Sequence, residues 1–286
     1  MSEGDGDIWR IGVVYNTLVE RSLPLAHEIQ AWLHETHGVD AWCCPISTCR
    51  EALQPADLLV TLGGDGSILR AAQTAAPAGI PILGINLGRV GFLTETPPER
   101  WRATLTQVLA GQAAVESRMM LCVTLARDGH DIAQEQALNE AVVSRGALAR
   151  TVRLHTAIDG ALMTRYVADG LILATPTGST AYAYAAGGPI LPPWLDNIVL
   201  VPTAPHLSLE RPLVLDATSV TEVRLEARMP GMLSVDGRME GELLDGDVVR
   251  VERSEIRARF LRLRSRTDFY QTLVDRLTPR NGDPHG

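Results

Sequence analysis

Gly63-Gly64-Asp65-Gly66 places one carboxylate among three glycines, directly after the apolar run Asp57-Leu-Leu-Val-Thr-Leu62. Glycines let backbone amides come close to a ligand's phosphates. A carboxylate repels phosphate, so a cradle that contains one fits chemistry at a phosphoryl group, with a metal or a proton transfer involved. The same residues also fit a strand-to-helix turn with an Asx cap, and the tetrapeptide alone leaves both readings open. A second glycine-rich segment runs from Asp169 through Thr177-Gly178-Ser179-Thr180 to Gly187-Gly188-Pro189. Its hydroxyls can cap a short helix starting near Thr180 and hold a ligand's polar groups at that helix's N-terminus. Asn139-Glu140 interrupts an otherwise apolar run from Ala137 to Val143. A polar pair in a buried strand is costly unless its groups find partners. A ribose diol or an adenine edge would supply them; a β-bulge or a solvent-facing pair is the other reading.

Composition limits how phosphate can be handled. All 26 basic residues are Arg, with no Lys anywhere in the chain. That excludes a Walker A loop, a pyridoxal enzyme and a class I aldolase, each of which needs its Lys. Backbone amides, a metal and Arg remain. The net charge of −8 argues against nucleic acid or an anionic membrane as partner. The densest basic run, Arg257, Arg259, Arg262, Arg264 and Arg266, alternates and reads as the exposed face of a strand. Cys43, Cys44, Cys49 and Cys122 form no CxxC pair, which suggests free thiols in a reducing cytosol. The His residues are scattered, and no metal site made of protein side chains is expected. No leader segment and no apolar stretch of membrane-spanning length is seen, so a soluble, cytoplasmic protein is expected.

The elements that must position these residues fall into two patterns. At 286 residues the chain is at the upper limit for one core, so one large or two smaller domains are expected. Strands at Trp9–Tyr15, Val39–Cys44, Leu58–Leu62 and Ile80–Ile85 alternate with helices at Leu23–His37, Thr48–Leu53, Ser67–Ala76 and Pro98–Ala110. Near-continuous apolar strands in such alternation predict a Rossmann-like parallel α/β domain, with ligands beyond the carboxyl ends of the strands. From about Ser117 the pattern changes to short runs favouring strands: Met119–Ala126, Ala137–Ser144, Arg153–Ile158, Leu171–Ala174, Val220–Ala227, Asp247–Glu252 and Ile256–Leu263. Asp-Gly turns at 128–129, 159–160 and 245–246 separate many of them. We therefore expect an α/β domain over 1–117 and a β-rich, β-sandwich-like domain over 118–267. A closing helix over Phe269–Leu277 would return residues from about 268 to 286 to the first domain.

Taken together, the segments resemble the NAD kinase family. Its markers here are Gly63–Gly66, Gly84-Ile-Asn-Leu-Gly-Arg-Val-Gly-Phe-Leu-Thr94, Leu138-Asn-Glu140, Asp169–Pro189, Pro205–Pro212 and Ser234-Val-Asp-Gly237, in family order over most of the chain. GGDG alone is shared with diacylglycerol-type and sphingosine-type lipid kinases, whereas the long Asp169–Pro189 segment is specific. The resemblance implies a cytosolic homodimer or homotetramer that transfers the γ-phosphate of ATP to the adenosine 2′-hydroxyl of NAD. It implies Asp65 as the base and Mg²⁺ carried by ATP as the divalent metal. It further implies ligand contacts from Gly63, Gly64, Gly66, Arg70 and Phe92, and nucleoside recognition by Asn139 and Glu140. Asp169 falls in the same dinucleotide site, with Thr180, Ala181, Tyr182 and Ala185 packed around NAD and polar contacts from Arg150 and Arg238. Three departures from the family pattern are mild. Ser67 stands for the usual Thr, Val90 for a common Leu, and Ala185 for a frequent Ser whose hydrogen bond is thereby lost. A lipid kinase on the same fold gives no reason for Thr177–Tyr182. A non-catalytic dinucleotide sensor would need a lost base, and Asp65 is intact.

Overall fold

The computed structural model of the chain describes residues 10–88, 91–146, 151–206, 209–226 and 229–277. It divides into two compact units, Met1–Glu116 with Arg259–Gly286, and Ser117–Ala258. The first unit is entered through β1 (Arg10–Tyr15), α1 (Ser22–His37), β2 (Asp40–Pro45), α2 (Cys49–Ala52), β3 (Leu58–Gly63), α3 (Asp65–Ala75), β4 (Ile82–Asn86) and α4 (Trp101–Leu109). The strands pair in parallel in the order β2-β1-β3-β4. Every residue of β3 and β4 is buried, as a parallel sheet covered on both faces requires. Ala26, Ile29 and Leu33 of α1, and Trp101, Leu105 and Val108 of α4, recur at helical spacing and join Ile11, Val13, Val60, Leu62 and Leu83 in one core. A fully buried Leu or Ile contributes roughly 1.5–3 kcal/mol, so these stripes, not helix propensity, hold the helices on the sheet.

α3 begins two residues before the expected Ser67. Gly64 occupies the N-cap in an extended conformation, which puts Asp65 in the first helical turn. A negative side chain is favoured there by the helix dipole.

The second unit is built from β5 (Ala114–Arg127), whose first residues belong to the first unit, β6 (His130–Ala137), β7 (Glu140–Arg145), β8 (Val152–Ile158), β9 (Ala161–Ala168), β10 (Gly170–Ala174), α5 (Tyr182–Ala185), β11 (Asn197–Thr203), β12 (Leu213–Asp216), β13 (Thr221–Glu226), β14 (Gly231–Val235), β15 (Arg238–Leu243) and β16 (Val248–Arg262). Strands β12-β11-β10-β7-β14-β15 form one antiparallel sheet, and β16, β13, β8 and β9 are antiparallel neighbours in another. Inward residues of both sheets, among them Leu121, Val143, Leu154, Leu173, Leu200, Leu225 and Val251, share one core. The chain re-enters the first unit at residue 259, within β16, where the sequence had suggested about 268. Phe260 then pairs with Ile82 of β4, and α6 (Asp268–Leu277) follows. The architecture is the expected one: a parallel α/β unit, a β-sandwich-like unit and a C-terminal helix in the first. Among the described residues no helix is long and apolar enough to cross a membrane.

Three local expectations change. Ala137–Ser144 is not one strand: β6 ends at Ala137, β7 starts at Glu140, and Leu138 and Asn139 form the bend between them. Asp247–Glu252 and Ile256–Leu263 are not two strands but lie largely in one long strand, β16, which accommodates Ser254 and Glu255 without a break. The arginine run is not a bare solvated face. Arg257 grips Asp196 with two nitrogens at 2.8 and 3.0 Å. Arg262, only 11% exposed, bonds Glu95 at 3.1 Å and Glu116 at 3.2 Å. All four cysteines are free thiols.

Candidate active site

In the first unit, the chemistry gathers where β3 gives way to α3. Gly63 ends β3, and a Cβ there would lie 2.2 Å from the Ser67 hydroxyl, so packing itself excludes a side chain. A Cβ on Gly64 or Gly66 would meet nothing within 4 Å. The fold does not demand glycine at those two positions, and each leaves its backbone uncovered by a side chain of its own. Asn16, just beyond β1, donates from Nδ2 to the Ser67 hydroxyl at 3.1 Å and ties the strand end to α3. Arg70 lies exposed on α3.

The Asp65 carboxylate is held by the loop after β4. The Phe92 N–H donates to Oδ2 and the Leu93 N–H to Oδ1, both at 3.0 Å. This arrangement needs Gly91: a Cβ there would stand 1.9 Å from Oδ1. Arg276 of α6 completes the group, with Nη1 3.3 Å from Asp65 Oδ2 and its guanidinium 4.8 Å above the Phe92 ring. Phe269, also on α6, approaches Phe92 at 6.0 Å between ring centroids. The structure thus brings together Asp65 and Phe92, both expected at the site. It adds Gly91 and Arg276, which the sequence had not singled out.

In the second unit, the bend between β6 and β7 is fixed from two sides. Asp236 accepts the backbone N–H of Leu138 on Oδ2 at 2.8 Å, and those of Asn139 and Glu140 on Oδ1 at 2.7 and 3.1 Å. Its own N–H returns a bond to the Glu140 carbonyl at 3.0 Å. Asp236 and Gly237 both have positive φ, 48° and 75°, in the tight turn joining β14 to β15. From the other side, the Thr175 hydroxyl donates to the Leu138 carbonyl at 2.6 Å, and the Thr175 N–H to the Asn139 carbonyl at 2.8 Å. A Cβ on Gly178 would lie 2.2 Å from the Asn139 carbonyl oxygen, so the hydroxyl-rich segment presses backbone to backbone on this bend. Neither a β-bulge nor a solvent-facing pair describes Asn139-Glu140: both residues are buried in a side-chain-capped bend.

Glu140 is electrostatically unusual. Burial first, and the Asp236 carboxylate second, push its carboxyl up to about 8. Its Oε2 is buried without a hydrogen-bond partner. An ionised carboxylate would be poorly accommodated there, and the neutral acid both donates and accepts.

The remaining residues expected at the site lie as follows. Asp169 follows β9 and forms an ion pair with Arg145 at 3.0 Å, a partner the sequence did not reveal. Gly178–Thr180 forms a single 3₁₀ turn, Ala181 links it to α5, and Tyr182 and Ala185 are exposed on α5. Arg238 is drawn to Glu240 at 3.1 Å and Glu135 at 3.5 Å, so two carboxylates already engage its guanidinium. Arg150 and Val90 lie outside the described residues. Among the described residues, no group of three or more His, Cys, Asp or Glu is arranged to hold a metal ion.

Residues 44–113 match the ATP-NAD kinase N-terminal domain and residues 138–263 the ATP-NAD kinase C-terminal domain. The NAD kinase of Chloroflexus aurantiacus is 40% identical over 273 residues, covering 94% of this chain and 98% of its own length. That of Moorella thermoacetica is 42% identical over 280 residues, covering 94% and 89%. Among solved structures, yeast NADH kinase complexed with NADH superposes with a TM-score of 0.83 at 27% identity, over 97% of this chain and 89% of that one. An NAD kinase from Archaeoglobus fulgidus in complex with ATP gives 0.75 at 29% identity, over 94% and 100%. Two matched domains and relatives alike over nearly their whole length lead to one conclusion: the chain belongs to the ATP-NAD kinase family.

Proposed function

We propose that this protein is an NAD kinase, transferring the γ-phosphate of ATP to the 2′-hydroxyl of the adenosine ribose of NAD, with Asp65 as general base. The observation that carries the role of Asp65 is its setting: a carboxylate fixed by two backbone amides within the first turn of α3, beside two glycines whose side-chain positions are open. Oδ2 accepts bonds from Phe92 and Arg276, whereas Oδ1 accepts one, from Leu93. An oxygen with a lone pair to spare can take the hydroxyl proton as the 2′-oxygen attacks phosphorus. Amides of Gly64 and Gly66 serve the phosphates. Mg²⁺ arriving with ATP screens the charge of the triphosphate. Asn139 and the neutral Glu140 hydrogen-bond the nucleoside, with Asp169 and the segment from Thr180 through Ala185 completing its binding. A cytoplasmic location is part of the same reading and is supported by the four free thiols. Assembly into a homodimer or homotetramer also belongs to it and rests on the resemblance to the family.

The test is a matrix of donors (ATP, GTP, polyphosphate) against acceptors (NAD, NADH, diacylglycerol), run on the wild type and on Asp65→Asn. We expect ATP with NAD to give NADP, and the variant to bind NAD while losing about 10²–10⁴-fold in kcat, the usual worth of a positioned base. Near-normal turnover by the variant would remove Asp65 from the role, and phosphorylation of lipid alone would overturn the assignment of substrate.

A further inference from the structure

Phosphoryl transfer is catalysed largely by positioning and by positive charge placed where negative charge develops. In a chain without Lys, Arg and the metal are the strongest sources of that charge, beside backbone amides. The described residues place one guanidinium against the Asp65 carboxylate, and it comes from the far end of the sequence: Arg276, on the last turn of α6, 211 residues away. Two contacts define its pose, and a third steadies the ring it lies on. Nη1 meets Asp65 Oδ2 at 3.3 Å, the planar group lies over Phe92 at 4.8 Å, and Phe269, about two turns earlier on α6, brings its ring centroid to 6.0 Å from that of Phe92. A guanidinium has five N–H donors in a rigid fork, and Arg276 spends one of them on Asp65. Its side chain remains 38% exposed, so further donors stay accessible to a ligand.

We propose that Arg276 is a further catalytic residue: it fixes the Asp65 carboxylate through Oδ2 and turns its remaining N–H groups to the oxygens of the transferred phosphoryl group. Stacking on Phe92 holds the plane of the fork, and the ion pair sets its distance from the base. The hydroxyl proton passes to Asp65, the bond from the 2′-oxygen to phosphorus forms, the bond to the leaving β-phosphate oxygen breaks, and Arg276 neither gains nor loses a proton. The arrangement explains why the Phe92 ring, exposed in part, has both an α6 aromatic and an α6 cation beside it. It also gives α6 a chemical duty rather than a packing one. This inference rests on the reading of Asp65 as the base.

The experiment compares Arg276→Ala, Arg276→Lys and Asp65→Asn in the full-length protein, with ATP and NAD varied separately and guanidinium chloride added at non-denaturing concentration. A cation at the transferred group is commonly worth about 10³-fold in rate, so Arg276→Ala should lose at least about 100-fold in kcat. Its KM for NAD should stay within about threefold. Arg276→Lys should recover part of the loss, and free guanidinium should raise the rate of Arg276→Ala but not of the wild type. A kcat for Arg276→Ala within about threefold of wild type would overturn the proposal. So would a loss that neither Lys nor guanidinium relieves, or one explained by a lowered melting temperature. If Asp65→Asn keeps its turnover while Arg276→Ala loses and regains it with guanidinium, the reading of the base fails and the cation at the transfer centre stands.

Discussion

At the scale of single residues, the most informative group is the one whose charge the fold suppresses. Glu140 is ordinarily acidic with a value of 4.5, and burial together with the neighbouring Asp236 carboxylate moves it to about 8. Between those two values the folded chain holds a proton that the unfolded chain has released. Stability from this group is therefore complete below the lower value and is lost as pH rises toward the upper one. Glu140→Gln mimics the protonated form and removes that dependence. From about pH 5 to about pH 8, wild type should lose on the order of a few kcal/mol relative to Glu140→Gln, read from urea unfolding at each pH. Parallel pH profiles for the two proteins would show that Glu140 is ionised in the fold. A hydrogen-bonding partner for its bare Oε2 is the change a bound nucleoside would bring.

At the scale of elements, the bend between β6 and β7 depends on a turn almost a hundred positions later. Asp236 answers three consecutive backbone N–H groups, and a buried amide left unpaired costs about 1–3 kcal/mol. Asp236→Ala should destabilise the protein by about 3 kcal/mol, with water recovering part of the full penalty. It should also raise KM for NAD by about tenfold, because Asn139 and Glu140 lose their fixed direction. Asp236→Asn, which keeps one acceptor oxygen, should fall between. Thermal unfolding and initial rates on the two variants check both statements; an Asp236→Ala protein as stable as wild type would show that the three bonds contribute nothing net. This bend also shows what sequence could and could not convey. The glycine segment, the Asp65 carboxylate and the alternation of apolar strands with amphipathic helices are local patterns, legible within a dozen residues. Asn139-Glu140 stood out as polar within an apolar run, but its stabilising partner lies 97 residues away with no period linking them. The same holds for Arg276 on Asp65 and for Arg145 on Asp169. Gly91 was visible within a glycine-containing motif, yet only the 1.9 Å approach of the carboxylate shows why glycine is required there. The sequence of β16 reads as two runs, Asp247–Glu252 and Ile256–Leu263, whereas the Ser254 hydroxyl accepts the Ile256 N–H at 2.9 Å and the strand continues.

At the scale of the whole molecule, the two units differ in how their chain is supplied. The second is one continuous stretch, Ser117–Ala258, while the first takes its last pieces from beyond residue 258. Those pieces matter to its interior. Leu261 belongs to the core of α1 and α4, and Phe260 pairs with β4. Glu95, whose side chain is only 2% exposed, is answered by Arg262 and by the backbone N–H groups of Leu263 and Arg264. Removing the partners of a buried carboxylate leaves an uncompensated charge, which typically costs about 3–5 kcal/mol, a large share of a domain's stability. Met1–Glu116 expressed alone should therefore lack a cooperative unfolding transition, and Ser117–Ala258 alone should retain one. Circular dichroism melts of the two fragments check this, and a sharp transition for Met1–Glu116 would show that the later residues are dispensable.

That discontinuity has a consequence for a chain emerging from the ribosome. Asp65 and Glu95 are made before Ser117–Ala258, whereas Arg262 and Arg276, which answer their carboxylates, are made after it. A product terminated within Ser117–Ala258 would carry Gly63–Gly66 and still lack Arg262 and Arg276. The buried Glu95 of the first unit thus waits for its counter-charge until the second unit has been synthesised.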